Sequence, residues 1–296
     1  MSVMRSRFRR VRLAPLGCCA LLLSGCALEP VGLPPVEAPA ARTLRDPAAA
    51  VAETDARRQQ VSTVTARLDV RLHKLKEQRS FPLNGVYLGN ADGSFRLRLK
   101  HEELVVLDLA AAEGSMELWL PRKNRFYRGT TSQVQSVERS ELALLAQIGS
   151  VHDLFFPRAW SERAVERRMN GSGADDWVSV YGRADGRRAL LRRLVLLPQM
   201  AAFARQELYG PSGALLGQVL YDGYAPQPLG TGGAQVTAPG RVTIMGADRQ
   251  IALELIATEY SFNAELPTSR FRLAPPEGVQ TSDLGAALAQ GIVPWQ

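Results

Sequence analysis

Few residues of this 296-residue chain have the type and spacing that chemistry needs. Its three histidines, His73, His101 and His152, stand far apart, and none belongs to an HExxH or HxH pattern, so no zinc site is read. No GxSxG turn offers a serine nucleophile. The run Gly230-Thr231-Gly232-Gly233-Ala234 lacks the third glycine of a dinucleotide loop and follows no clear strand-to-helix turn, so it reads as a flexible loop. Asp175 and Asp176 precede a strand, where turn chemistry accounts for them. A glycosidase-type carboxylate pair is a matter of space, which spacing along the chain does not reveal. What stands out is Cys26, set directly behind Leu23-Ser24-Gly25 where an apolar run ends. The chain reads as non-enzymatic, with no metal and no cofactor.

The residues before Cys26 explain its place. Arg5, Arg7, Arg9, Arg10 and Arg12 open the chain without one acid, and Leu13 to Gly25 is apolar. That run is shorter than the roughly 20 residues a spanning helix needs. A basic start, a short apolar core and small residues at its end describe a secretory signal peptide over residues 1–25. The tetrad Leu23-Ser24-Gly25-Cys26 resembles the lipobox of bacterial lipoproteins. The resemblance implies cleavage between Gly25 and Cys26, a diacylglyceryl thioether on Cys26, and an acyl chain such as palmitate on the new amine. The alternative is an ordinary secretory signal with Cys26 a bystander thiol. Ala27 follows the cysteine, which in the enterobacterial sorting rule favours the outer membrane.

Maturation would change the charge balance. The whole chain has 36 bases against 29 acids, a net +7. Without the five leader arginines, 31 bases face 29 acids, so the high pI belongs to the leader and nucleic acid is not a partner. Cys18 and Cys19 leave with the leader, and a lipidated Cys26 leaves no thiol for a disulfide. No later segment offers an 18-residue apolar run, so the expectation is a lipid-anchored chain, tethered rather than spanning.

The elements follow in order. Residues 26–48 are Pro- and Ala-rich and read as an extended tether. Residues 47–60 favour a helix, with Asp46 as cap and Pro47 in its first turn. From Ala66 to Leu72 apolar residues alternate with Arg67, Asp69, Arg71 and His73, the period of a half-buried strand. Phe95, Leu97 and Leu99 alternate in the same way with Arg96, Arg98 and Lys100. About six strands precede residue 140 and five or six follow residue 174, with Gly, Asn and Asp between them, so the sheet is antiparallel. Between them, residues 140–169 space their apolar residues helically. One short helix carries Leu142, Leu145 and Ile148, and a second starts at Pro157 with Trp160, Ala164 and Val165. Val151 to Phe156 is read as an apolar connection. The sheet is expected to end near Ser269 to Val279, leaving residues 279–296 as a tail, one weak helix or disordered.

Eleven or so strands cannot stay flat. The fold class is mainly β: a half-open antiparallel barrel, or strongly curved sheet, covered by short helices. The order of "FRLRLKHEELVVLDLAAAEGSMELWLPRKNRFYRG", then "LALLAQIGSVHDLFFP", then "FRLAPPEG" resembles the lipoprotein-carrier domains of the LolA/LolB type, and also uncharacterised LolB-like lipoproteins. The resemblance spans residues 49–278 and implies an apolar cavity between sheet and lid, in an outer-membrane lipoprotein whose domain faces the periplasm.

A carrier needs large apolar side chains facing one cavity. The sheet candidates are Phe95, Leu97, Leu99, Leu118 and Leu120. The lid candidates are Leu142, Leu145, Ile148, Leu154, Phe155 and Phe156. The plainer alternative is that they form a packed core. LolB-type proteins, by resemblance, expose an apolar loop that joins strands and enters the membrane; Leu154-Phe155-Phe156 joins helices here, which favours lid packing. Arg96, Arg98, Arg187, Arg188, Arg192 and Arg193 read as a solvated strand face, or as a surface for anionic headgroups. The function expected is binding lipid or acylated lipoprotein and delivering it at the outer membrane. The rival is a filled scaffold for a protein partner in the cell envelope.

Overall fold

In a computed structural model, the residues described are 52–53, 55–56, 59–135, 148–149, 151–152, 154–156, 166–172, 175–184, 187–197, 202–210, 212–230 and 232–290. All described residues belong to one compact unit within Val31–Gln296. Gly25, Cys26, Leu142, Leu145, Trp160, Ala164 and Val165 lie outside the described residues.

Alternation builds the first half. β1 (Thr63–Lys74) buries its even positions from Val64 to Leu72 and turns its arginines outward. It is followed by β2 (Arg79–Asn90), β3 (Phe95–His101), β4 (Leu104–Ala112), β5 (Ser115–Leu120) and β6 (Arg125–Thr130), all paired as neighbours. Glu113 and Gly114 link β4 to β5 with φ of 50° and 77°, the primed turn that suits twisted hairpins. After the lid come β7 (Glu166–Ser172), β8 (Asp175–Ala184), β9 (Arg187–Leu197), β10 (Ala202–Tyr209) and β11 (Leu215–Asp222). A separate hairpin of β12 (Ala225–Pro228) and β13 (Gln235–Ala238) leads to β14 (Arg241–Gly246) and β15 (Ile251–Phe262). A last strand is β16 (Gln280–Asp283).

The large sheet has 14 strands in the order β16-β6-β5-β4-β3-β2-β1-β15-β14-β11-β10-β9-β8-β7. Every pairing is antiparallel except β16 beside β6. The mainly β class holds, with three departures from expectation. The sheet has more strands than the eleven expected. Residues 166–169 are extended in β7, where the spacing predicts helix. Val151, His152, Leu154 and Phe155 are helical, where the sequence predicts a connection. Pairing of β7 with β8 supplies backbone partners that outweigh local spacing. Residues 52, 53, 55, 56 and 59 are helical, as the segment 47–60 leads one to expect.

The segment after β15 does not close the sheet as a strand. Thr268–Phe271 forms a 3-10 turn, and the chain then crosses the outer face of β2 to β6. Phe271 packs on Leu88 and Ala112, and Leu273 on Ala110 and Phe126. The tail then adds β16 and a helix over Leu284–Ala289, whose cap is Asp283 accepting from the Ala286 N–H at 2.7 Å. Leu284, Ala287 and Leu288 of that helix are buried in the main core.

This strap alters the reading of the arginines. Arg96 and Arg98 both converge on Asp108, with N–O distances of 2.7 to 2.8 Å, and Asp108 is 1% exposed. Arg96 also donates to the Arg270 carbonyl of the strap. Glu117 accepts from Arg128 and from the Leu273 N–H. The face expected to be solvated is covered here, and its buried carboxylates are neutralised by arginine.

Candidate functional site

The inner face is built by register. Across β1, β2, β3, β4, β5 and β6 one row runs Ala66, Tyr87, Leu97, Leu109, Leu118 and Tyr127. The next row toward the lid runs Val64, Gly89, Phe95, Ala111 and Met116. On the other side of β1, Val64 faces Phe262 and Ala66 faces Tyr260. Phe95, Leu97, Leu99, Leu118 and Leu120 are all buried in one cluster with Ile148, Leu154, Phe155 and Phe156. The structure therefore brings the described sheet and lid candidates together.

The lid is seated by aromatic contacts. The Phe155 ring stands 6.2 Å from Tyr87, 5.9 Å from Tyr260 and 6.0 Å from Phe262, mostly tilted or edge-on, as ring quadrupoles favour. His152 stacks on Phe156 at 4.6 Å and lies 5.8 Å from Phe95. Its Nδ1 is 3.2 Å from the Tyr87 hydroxyl, a polar link between lid and floor. Phe156 reaches the sheet because Gly89 has no side chain: a Cβ there would stand 2.9 Å from Phe156 Cε2. Leu154, Phe155 and Phe156 are at most 6% exposed, so this stretch is packed lid. Burial pushes the Tyr260 hydroxyl well above its usual range, and it donates to the Pro239 carbonyl at 2.8 Å.

Sequence reasoning passes over Tyr87, Gly89, Tyr260 and Phe262. A signal for Gly89 exists: a glycine inside a strand pattern marks a close approach, and Gly85 four residues earlier does the same for Leu99 and Val70. No sequence feature joins Tyr260 to the lid. At the opposite end of β3 the hairpin to β4 carries Leu104, which is 71% exposed. Among the described residues, no group of three or more His, Cys, Asp or Glu is placed to hold a metal ion, and no helix is long and apolar enough to cross a membrane.

An open, curved antiparallel sheet with an apolar inner face under a helical segment is the LolA/LolB-like fold. Comparison with solved structures agrees. The chain is similar to a domain assigned as an outer-membrane lipoprotein-sorting protein from Vibrio parahaemolyticus, with TM-score 0.50 and 12% identity over 76% of this chain and 95% of that one. It is equally similar to a LolA superfamily protein from Nitrosomonas europaea, at TM-score 0.50 and 12% identity over 75% and 97%. At such identity the likeness speaks for fold. No protein-family profile and no curated protein matches the sequence.

Proposed function

We propose that the protein is a membrane-tethered lipoprotein that binds lipid or an acylated lipoprotein between sheet and lid, and helps deliver it at the outer membrane. The observation that carries this reading is the lid: an apolar helical segment laid by weak ring contacts over an apolar inner face. Such contacts are each worth about 0.5–1.5 kcal/mol beyond burial, so an acyl chain that buries comparable area can displace them. The work is binding, without bond-making. Acyl chains on Cys26 would hold the receiver at its membrane, each buried CH₂ adding about 0.8 kcal/mol. Leu104 opens β4 just after a strand-joining hairpin and is 71% exposed, and an exposed apolar residue beside such a connection suits the membrane-entering loop that the LolB-type resemblance implies.

The test uses the full chain carrying Cys26→Ser, expressed in the periplasm and followed by native mass spectrometry and solvent extraction. A stoichiometric acylated species, lost when Phe155 is replaced by Asp, is the expected result. A clean unliganded mass that stays unchanged with added phospholipid sinks the reading in favour of a filled scaffold for an envelope protein.

A further inference from the structure

Beyond the lid, a different row of the inner face carries one amide. It runs Leu194, Gln206, Val219, Ile244, Leu253 and Leu72, across β9, β10, β11, β14, β15 and β1. All but Gln206 are aliphatic, and Gln206 is 2% exposed. Its neighbours Arg205 and Glu207 point to the outer face, where Glu207 pairs with Arg193 and Arg205. Gln206 alone therefore brings hydrogen-bonding capacity to this row.

That capacity is half used. The Tyr221 hydroxyl donates to Gln206 Oε1 at 2.9 Å. Among the described residues, Nε2 has no hydrogen-bond partner. Buried side-chain donors are nearly always satisfied, and an amide in an apolar wall is costly without an acceptor. With that bond made at Oε1, the Nε2 hydrogens are left toward the apolar wall.

Resting on the carrier reading above, we infer that Gln206 Nε2 is a subsite donor for the carbonyl oxygen of a neutral acyl ester or amide. The wall around it sets the class of ligand. Bare hydrocarbon leaves the donor unmet. A free carboxylate would bury a charge, because Arg193 and Arg205 face the other way. A neutral acyl carbonyl satisfies the donor and brings no charge. The row of Gln206 crosses β1 at Leu72, whereas the lid sits on rows crossing at Val64 and Ala66, so carbonyl and alkyl chain have separate places. Esters of a glycerolipid and the amide of an acylated lipoprotein share this carbonyl.

The experiment measures binding of hexadecane, methyl palmitate and N-methylpalmitamide to the full chain carrying Cys26→Ser, by displacement of an apolar fluorescent dye. Methyl palmitate with a ¹³C-labelled carbonyl is also followed by infrared spectroscopy. With Gln206 in place, the chain should prefer the carbonyl ligands to hexadecane by about five- to tenfold, with the ester band shifted down by hydrogen bonding. Gln206→Leu should abolish the preference and the shift while hexadecane still binds. Gln206→Met, closer in shape, serves the same purpose if leucine unfolds the chain. Either order between ester and amide supports the subsite, and the mass of the co-purified species tells a glycerolipid from an acylated lipoprotein. Equal binding of hexadecane and both carbonyl ligands overturns the subsite alone. A variant that weakens all three equally shows a structural glutamine and also overturns it. Failure of all three to bind with Gln206 in place overturns the carrier reading together with the subsite.

Discussion

The Tyr87 hydroxyl and His152 Nδ1 meet at 3.2 Å, joining the floor of the sheet to the segment that covers it. Both residues are buried, so the link is made away from water. Tyr87→Phe removes it while keeping the ring that packs against Phe155. The expected cost is about 1 kcal/mol in urea unfolding. Faster amide exchange confined to residues 148–156 should accompany it. Unchanged exchange there would show that the rings alone hold the lid.

Gly89 sets how closely that segment approaches. Gly89→Ala would press a Cβ to 2.9 Å from Phe156, 3.0 Å from the Tyr87 hydroxyl oxygen and 3.1 Å from Val64. The expected loss is about 1–3 kcal/mol, from overpacking. Gly232→Ala, with open space around it and no strained φ, is the control and should change stability little. Equal effects in the two variants would rule out the close approach as the cause.

Asp108 carries the outer face of β3 and β4. Asp108→Ala leaves Arg96 and Arg98 side by side without their shared carboxylate. Loss of one partner from such a buried pair costs about 3 kcal/mol. Arg98→Ala removes the more exposed partner and should cost less than about 1 kcal/mol. Denaturant midpoints of both variants check the asymmetry, and a larger loss for Arg98→Ala contradicts it.

Tyr209 should titrate late. Burial, then its hydrogen bond to Glu207 at 2.6 Å and the Glu207 charge, push its pKa up to about 12. The folded value lies above the unfolded value of about 10. Its contribution to stability is therefore complete below about pH 10 and is lost as pH rises through about 12. The difference between wild type and Tyr209→Phe in phenolate absorbance should show a midpoint near 12. A midpoint near the ordinary tyrosine value of about 10 would mean that the Glu207 contact does not persist in solution.

Leu104 offers a surface test. Being 71% exposed, it contributes little burial, so Leu104→Glu should leave the unfolding midpoint unchanged. The same variant should associate less with phospholipid vesicles in flotation. A variant that floats as wild type does would remove this hairpin from the delivery reading.

Much of the fold is legible in the sequence because it is local. The alternation in β1 and β3 separates inner from outer residues by period alone, and Phe95, Leu97, Leu99, Leu118 and Leu120 all reach one core. What escapes depends on distant partners. β16 is Gln-Thr-Ser-Asp, a sequence with little strand preference, and exists through pairing with β6, with Gln280 opposite Arg125. Arg96 reads as solvated because the strap that covers it arrives 174 residues later. Gln206 reads as an ordinary polar position in Arg-Gln-Glu, since period two assigns it to one face without saying which face is dry.

β1 lies in the middle of the sheet, yet its partner β15 ends at Phe262. The first strand made is thus locked on one side by almost the last. Until residues 251–262 have emerged, β1 has no partner on its second edge. Contacts this remote in sequence slow folding, because a long loop must close before they reward it. A truncation before Ile251 therefore leaves the β1 edge open to other chains.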